Sequence, residues 1–196
     1  MQQSKPKQQS KQSKSGAGTV RIIGGSMRGR KIRFSGADGL RPTLDRVRET
    51  VFNWLARDIA GSDCLDLFTG SGALSFEALS RGAGSVVMVE KNRKVAEALK
   101  VNCQSLNIQA AKVVNLDADK FLRHNSQKFD LVFLDPPFGK GLMQQTIDSL
   151  KPHLKSNALV YIEQEKSDQE YIPDDSFEPL KSKKTGSFSY SLYRFL

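Results

Sequence analysis

An α/β fold built on a mostly parallel sheet is what this sequence predicts, and three observations carry the prediction. Short runs rich in Val, Leu, Ile and Phe alternate along the chain with stretches whose apolar residues recur at three- and four-residue spacing. Those short runs are mostly apolar without strict alternation, as in strands covered by helices on both faces. The last two strand-like runs, 177–184 and 187–195, are separated only by a turn at Gly186, so they are expected to pair antiparallel. The expected sheet has seven strands, five parallel and two in a C-terminal antiparallel hairpin.

Each element follows from local composition. Residues 1–19 are Gln, Ser and Lys with almost nothing to bury, which predicts a disordered basic tail. VRII (20–23) and RKIRF (30–34) flank a glycine-rich turn, predicting a small β-hairpin within an N-terminal extension over 20–42. A main domain over 43–196 then opens with a helix at 44–59. Leu44, Val47, Val51, Leu55 and Ile59 form its buried stripe, and Thr43 is a candidate cap. Strands are expected at 64–68, 85–90, 112–115, 129–135 and 158–164, with helices at 73–81, 92–106, 118–124 and 142–152.

At 196 residues, with 38% hydrophobic and 26% charged side chains, the chain suits one soluble domain with short appendages. No run approaches the ~18 apolar residues of a membrane span, and the basic N-terminus lacks the apolar segment of a secretory signal. Cys64 and Cys103 have no metal-ligand spacing and read as reduced thiols of a cytoplasmic protein; no metal is expected. His124 and His153 read as surface residues.

The net charge of +9 is concentrated at one end. Lys5, Lys7, Lys11 and Lys14 stand without an acid in 1–19. Arg21, Arg28, Arg30, Lys31, Arg33, Arg41, Arg46 and Arg48 face only Asp38 and Asp45 in 20–48. A polyanion contact accounts for this concentration better than general solubility.

Two constellations carry chemistry. In DLFTGSGALSFEAL, from Asp66, a strand ends, Gly70 and Gly72 allow a tight turn, and a helix begins. Such a turn lets backbone approach a ligand and offers free N–H groups at the helix start. Alone it is a weak signal, and Ser75 stands where the dinucleotide fingerprint has its third glycine. Glu90, about 20 residues on at the tip of the next strand, is placed to accept both hydroxyls of a ribose. After the third strand, Asp117 and Ala118 are candidates to read an adenine edge through a side-chain acceptor and a backbone N–H.

The second constellation is Asp135-Pro136-Pro137-Phe138, at the end of FDLVFLD. Two prolines hold the backbone extended and remove two N–H donors, leaving carbonyls free for a ligand. An amino group conjugated to a base ring is a poor nucleophile. The Asp135 carboxylate and the Pro136 carbonyl suit its two hydrogens and favour a pyramidal nitrogen, and Phe138 offers a stacking face.

DLFTGSG, VVMVE and DPPF, in that order, resemble the Rossmann-like class I methyltransferases that act on exocyclic amines. RIIGGSMRGRKIRF, GLRPTLDRVRETVFNWL, DLFTGSGALSFEALSRGA and GSFSYSLYRF narrow the resemblance to the bacterial 16S ribosomal RNA guanine-N2 methyltransferases of the RsmD family, over about residues 20–196. The resemblance implies S-adenosylmethionine as cofactor, with Asp66, Phe68, Gly70 and Gly72 lining its methionine end, Glu90 on the ribose, and Asp117 with Ala118 on the adenine. It implies a reaction centre at Asp135, Pro136, Pro137 and Phe138, and transfer to the 2-amino group of a guanine in 16S rRNA, within an assembled 30S subunit. The RNA-binding candidates are Arg21, Arg28, Arg30, Lys31, Arg41 and Arg46; Arg41, Thr43 and Arg46 are also candidates for the cofactor carboxylate. A monomer acting in the cytoplasm without membrane contact is expected. Members of the family carry Gly where this chain has Ser75, which a helix tolerates. The alternatives are an adenine-amine methyltransferase acting on DNA or RNA, a nucleic-acid-binding protein that keeps the fold without activity, and, third, an NAD-dependent dehydrogenase, which leaves DPPF without a purpose.

Overall fold

Seven strands form the central sheet: β3 (Asp63–Asp66), β4 (Ser85–Val89), β5 (Ala111–Val114), β6 (Phe129–Leu134), β7 (Leu154–Glu165), β8 (Phe177–Lys184) and β9 (Phe188–Phe195). Their order across the sheet is β5-β4-β3-β6-β7-β9-β8. The first five are parallel, whereas β9 runs antiparallel to both β7 and β8. The computed structural model describes residues 18–34, 45–136, 143–165 and 173–196. The tail over 1–17, Arg41, Thr43, Leu44, Pro137 and Phe138 therefore lie outside the described residues.

Both sheet faces are covered, as the uninterrupted apolar strands demand. On one face α1 (Asp45–Trp54), α2 (Ala73–Ser80) and α3 (Arg93–Ser105) bury Val51, Phe52, Phe76 and Leu99 against Cys64, Met88, Phe133 and Tyr161. On the other, α4 (Ala118–His124) and α5 (Met143–Leu150) bury Phe121, Leu122, Ile147 and Leu150 against Leu65, Val132, Val160 and Ile162. Asn92 caps α3 by accepting from the Lys94 and Val95 backbone N–H groups. Cys64 and Cys103 are buried free thiols, and burial pushes Cys64 up to about 12. His124 is exposed and His153 half-buried.

The N-terminal strands β1 (Gly18–Arg21) and β2 (Lys31–Phe34) form a separate antiparallel pair; Ile32 of β2 and Ile22, just after β1, are buried in the first core layer. The sequence places the first of these strands at 20–23; the structure sets it at Gly18–Arg21, so Gly18 and Thr19, expected in the disordered tail, are paired with Phe34 and Arg33, and the strand ends two residues early. Glu77 of α2 explains the early end, because its two carboxylate oxygens accept the backbone N–H groups of Ile23 and Gly24, both at 2.8 Å. The chain is thus drawn out of the hairpin ladder and pinned to α2. Gly25 sits in the left-handed region at φ 74°, with a hypothetical Cβ 1.8 Å from the Ser80 carbonyl oxygen, so only glycine fits this approach.

Three further expectations are corrected. The helix expected over 44–59 stops at Trp54; turns follow, yet Leu55 and Ile59 stay buried as the periodicity required. Strand β7 begins at Leu154 rather than 158, because Leu154 pairs with Phe129 before an irregularity in register. Lys155 is thereby placed to bridge Asp63 and Asp130, both at 2.8 Å, which holds both carboxyl side chains at the start of the sheet. Finally, Arg48 does not belong to the basic surface. It is fully buried, donates to the Arg21 carbonyl at 2.8 Å and to Asp45 at 2.7 Å, and lies 3.7 Å from Glu77.

Candidate active site

From β3 the chain winds to β4 and β5 on one side, then returns to lay β6 against the other side of β3. The strand order therefore reverses between β3 and β6, and in open α/β sheets the crevice at the C-terminal ends of such strands is where ligands bind. Asp66 ends β3, with Phe133 of β6 as its partner in register, and Asp135 follows two residues later. The two constellations, almost 70 residues apart in sequence, thus meet at the C-terminal ends of two central strands.

The loop after β3 is built from the backbone. Gly70 (φ 53°) and Gly72 (φ 82°) occupy the left-handed region. A Cβ on Gly72 would come within 2.7 Å of Leu99 Cδ2 and of the Phe76 ring, so this glycine is required by packing as well as by the turn. Glu90, half-buried, reaches back to the loop: one carboxylate oxygen accepts the Gly70 N–H at 3.0 Å and the other the Asn92 N–H at 2.7 Å. Each oxygen retains a lone pair for a further donor.

Asp66 is buried, and Ser75 Oγ donates to its Oδ2 at 2.6 Å. Burial raises the Asp66 carboxyl to about 7; the Ser75 bond opposes the rise and the Glu90 charge adds to it. Ser75, which the sequence leaves as a tolerated substitution, is the hydroxyl that holds this carboxylate.

Asp135 is partly exposed and Pro136 is buried at the end of β6. Two carboxyl groups bear on Asp135. Burial, then the charge of Glu163, then that of Asp66, raise it well above the usual carboxylate range. Glu163 of β7 is 5% exposed, and Tyr161 Oη donates to its Oε2 at 2.9 Å. Burial raises Glu163 to about 7, against the opposing Tyr161 bond. Sequence reasoning missed Glu163. The signal was present, an acid inside the apolar run ALVYIEQ, but only the β6–β7 pairing shows what it faces.

Phe68 is half-buried in the loop after β3 and packs on the second core layer. Asp117 caps α4, its side chain accepting from the Asp119 N–H at 3.1 Å, and Ala118 is the first residue of that helix. Parallel pairing of β5 with β4 brings this helix start beside the end of β4, where Glu90 stands; the Glu90 N–H bonds to the Val114 carbonyl at 3.0 Å. Arg21, Arg28, Arg30 and Lys31 are exposed on the hairpin and Arg46 on the first turn of α1.

A family model described as conserved hypothetical protein 95 matches residues 20–194. The ribosomal RNA small subunit methyltransferase D of Haemophilus influenzae is 49% identical over 183 residues, covering 90% of this chain and 94% of that protein. The solved structure of the Escherichia coli protein yhhF superposes with a TM-score of 0.84 at 43% identity, over 91% of this chain and 98% of the other. The Thermus thermophilus 16S rRNA N2 G1207 methyltransferase, solved with AdoMet and guanosine, shares the fold, with a TM-score of 0.68 at 20% identity over 92% of this chain and half of its own. Matched from the first hairpin to the last strand, the chain belongs to the RsmD family, that of the ribosomal RNA small subunit methyltransferase D.

Proposed function

We propose that this chain is the S-adenosylmethionine-dependent methyltransferase that modifies the 2-amino group of one guanine in 16S rRNA. The observation that carries the reading is the meeting of the Asp66–Gly72 loop with the Asp135–Pro136 corner where the strand order reverses. The names of the relatives favour ribosomal RNA over an adenine in DNA.

The site fits a cationic nucleoside ligand. Asp66, Asp135 and Glu163 crowd the C-terminal ends of β3, β6 and β7, and the buried base Arg48 is engaged by Asp45, Glu77 and the Arg21 carbonyl. A ligand bearing positive charge relieves the repulsion among these acids. S-adenosylmethionine, when bound, supplies a methyl group on a positively charged sulfur.

The side chains divide the remaining work. Asp66, Phe68, Gly70 and Gly72 would line the methionine end, Glu90 would accept the ribose hydroxyls, and Asp117 with Ala118 would meet the adenine. Asp135 and the Pro136 carbonyl would accept the two hydrogens of the guanine amine and favour the pyramidal nitrogen; Pro137 would keep the corner extended. Phe138 would stack on the base once it has left its neighbours, a step least costly in a loop. Positive charge developing on the nitrogen is stabilised by the Asp135 carboxylate.

Arg21, Arg28, Arg30, Lys31, Arg41 and Arg46 would bind phosphates, making the N-terminal extension up to residue 42, its strand starting at Gly18 and aided by the tail before it, the docking element for the assembled 30S subunit. The catalytic domain over 43–196 would act as a monomer in the cytoplasm, where subunits are built. Two experiments test the reading. A mass-spectrometric digest of 16S rRNA from cells lacking the protein is expected to lose one N2-methylguanine, and an unchanged digest refutes the substrate. Asp135→Ala is expected to abolish transfer while cofactor affinity stays within a few-fold; retained turnover refutes the site.

A further inference from the structure

Glu163 is a buried acid for which the reaction as described has no use. Its strand, β7, lies directly beside β6, with Leu134 opposite Ile162, so Asp135 and Glu163 are the next residues along two parallel strands. Alternation gives them a common face. Phe133 and Tyr161 both belong to the core layer under α1 and α2, and Asp135 and Glu163 stand two residues beyond each. Tyr161 Oη fixes the Glu163 carboxylate at 2.9 Å, and Tyr161 is itself wholly buried against Phe133 and Tyr190. On the other side Glu163 is paired in register with Tyr190 of β9. The groups facing the pair are therefore Asp66 from β3, Tyr161 from its own strand and Tyr190 from β9. Ser75 of α2 is bound to Asp66, and Arg48 of α1 to Asp45 and the Arg21 carbonyl.

An exocyclic amine that has gained a methyl group carries an extra proton and a positive charge. For the product to be neutral, one N–H bond must break, its electron pair returning to nitrogen, and the proton must bond to an acceptor oxygen. A carboxylate of ordinary acidity is a weak acceptor near neutral pH, and a second negative charge behind it is the simplest way to strengthen it. We propose that Glu163 is a positioning residue acting through Asp135: its carboxylate, held by the Tyr161 hydroxyl, faces Asp135 and makes Asp135 the acceptor of the amine proton. This rests on the reading of Asp135 given above. It also gives Tyr161 a role, since a hydroxyl donating to Glu163 favours the charged form that acts on Asp135.

The test uses Glu163→Gln, which keeps the shape and an acceptor for Tyr161 but removes the charge, and Tyr161→Phe, which removes the donor. In the full chain without cofactor, carboxyl-labelled NMR titration reads Asp135 directly, identified by its loss in Asp135→Ala. Its midpoint is expected to fall by about one pH unit or more in Glu163→Gln, and by less, in the same direction, in Tyr161→Phe. Single-turnover methylation at saturating cofactor is expected to slow by roughly tenfold or more in Glu163→Gln, with the acid limb of the pH profile moved to lower pH. A purely structural role would leave both the midpoint and the limb in place. An Asp135 midpoint unmoved in a folded Glu163→Gln protein overturns the proposal, as does a slowed reaction with an unshifted acid limb. Retained turnover in Asp135→Ala overturns it together with the catalytic reading, so the two failures are told apart by which variant shows them.

Discussion

Glu77→Gln is expected to cost this protein a large part of its stability, although residue 77 touches neither proposed ligand. The side chain is wholly buried and holds three donors, the Ile23 and Gly24 N–H groups and Arg81 Nε, each at 2.8 Å. It also lies 3.7 Å from Arg48, whose Nε and Nη1 have no hydrogen-bond partner. Replacing the carboxylate by an amide removes the charge that balances Arg48 and turns an NH₂ toward backbone donors. Breaking a buried charge pair in this way costs ~3–5 kcal/mol, against a total stability of ~5–15 kcal/mol for a domain. For a chain of this size each kcal/mol lowers Tm by roughly 2–4 °C, so a fall of roughly 6–20 °C is expected. Urea denaturation gives the free energy and calorimetry the Tm. Hydrogen exchange adds a local readout, because the Ile23 and Gly24 amides are expected to lose protection before those of β6. The double variant Arg48→Met/Glu77→Gln is expected to lose less than the sum of its singles, since it removes the unbalanced charge. A Glu77→Gln protein within ~1 kcal/mol of the parent, with the same denaturant slope, would refute the claim that this carboxylate fastens the hairpin to α2.

Other consequences are open to measurement. Gly72→Ala places a Cβ against Leu99 and Phe76 at φ 82° and is expected to destabilise by ~1–3 kcal/mol while weakening cofactor binding, both readable by thermal shift with and without S-adenosylmethionine. Asp66 and Glu163 are both raised to about 7 in the folded state, and Asp135 is raised with them, so the folded protein binds more protons than the unfolded one from about pH 4 upward, through 7 for Asp66 and Glu163. Their contribution is therefore present below pH 4 and is lost as pH rises toward and through 7; Asp66→Asn is expected to reduce that fall in urea titrations at pH 5 and 8, and an unaltered pH dependence would contradict the burial argument. Asp63 and Asp174, lowered by their lysine partners, act in the opposite sense and only below about pH 4. Removing residues 1–17, which leaves β1 whole, is expected to flatten the salt dependence of RNA binding by a slope of about 0.7 per phosphate lost, without changing which base is modified; an identical slope would mean that the tail makes no phosphate contact.

Much of this architecture is written locally. A strand buried on both faces must be apolar throughout and a covering helix must repeat near 3.6 residues, so the order of elements, the five-strand parallel core and the final hairpin can be read before any contact is known. The glycine turn at Gly70 and Gly72 and the diproline corner at Pro136 are also local, because left-handed φ and a missing N–H belong to residue type. What the tertiary structure decided is which distant groups share a space. Only the placement of β6 between β3 and β7 brings Asp135 beside Asp66 and Glu163, and only the packing of α2 against the hairpin turns Glu77 into a backbone acceptor and Arg48 into an interior base. An arginine in a basic stretch reads as surface until the fold encloses it, and an acid in an apolar strand reads as an exception until its neighbour across the ladder is known. Burial and through-space charge depend on pairs of residues far apart in the chain, and no local pattern records them.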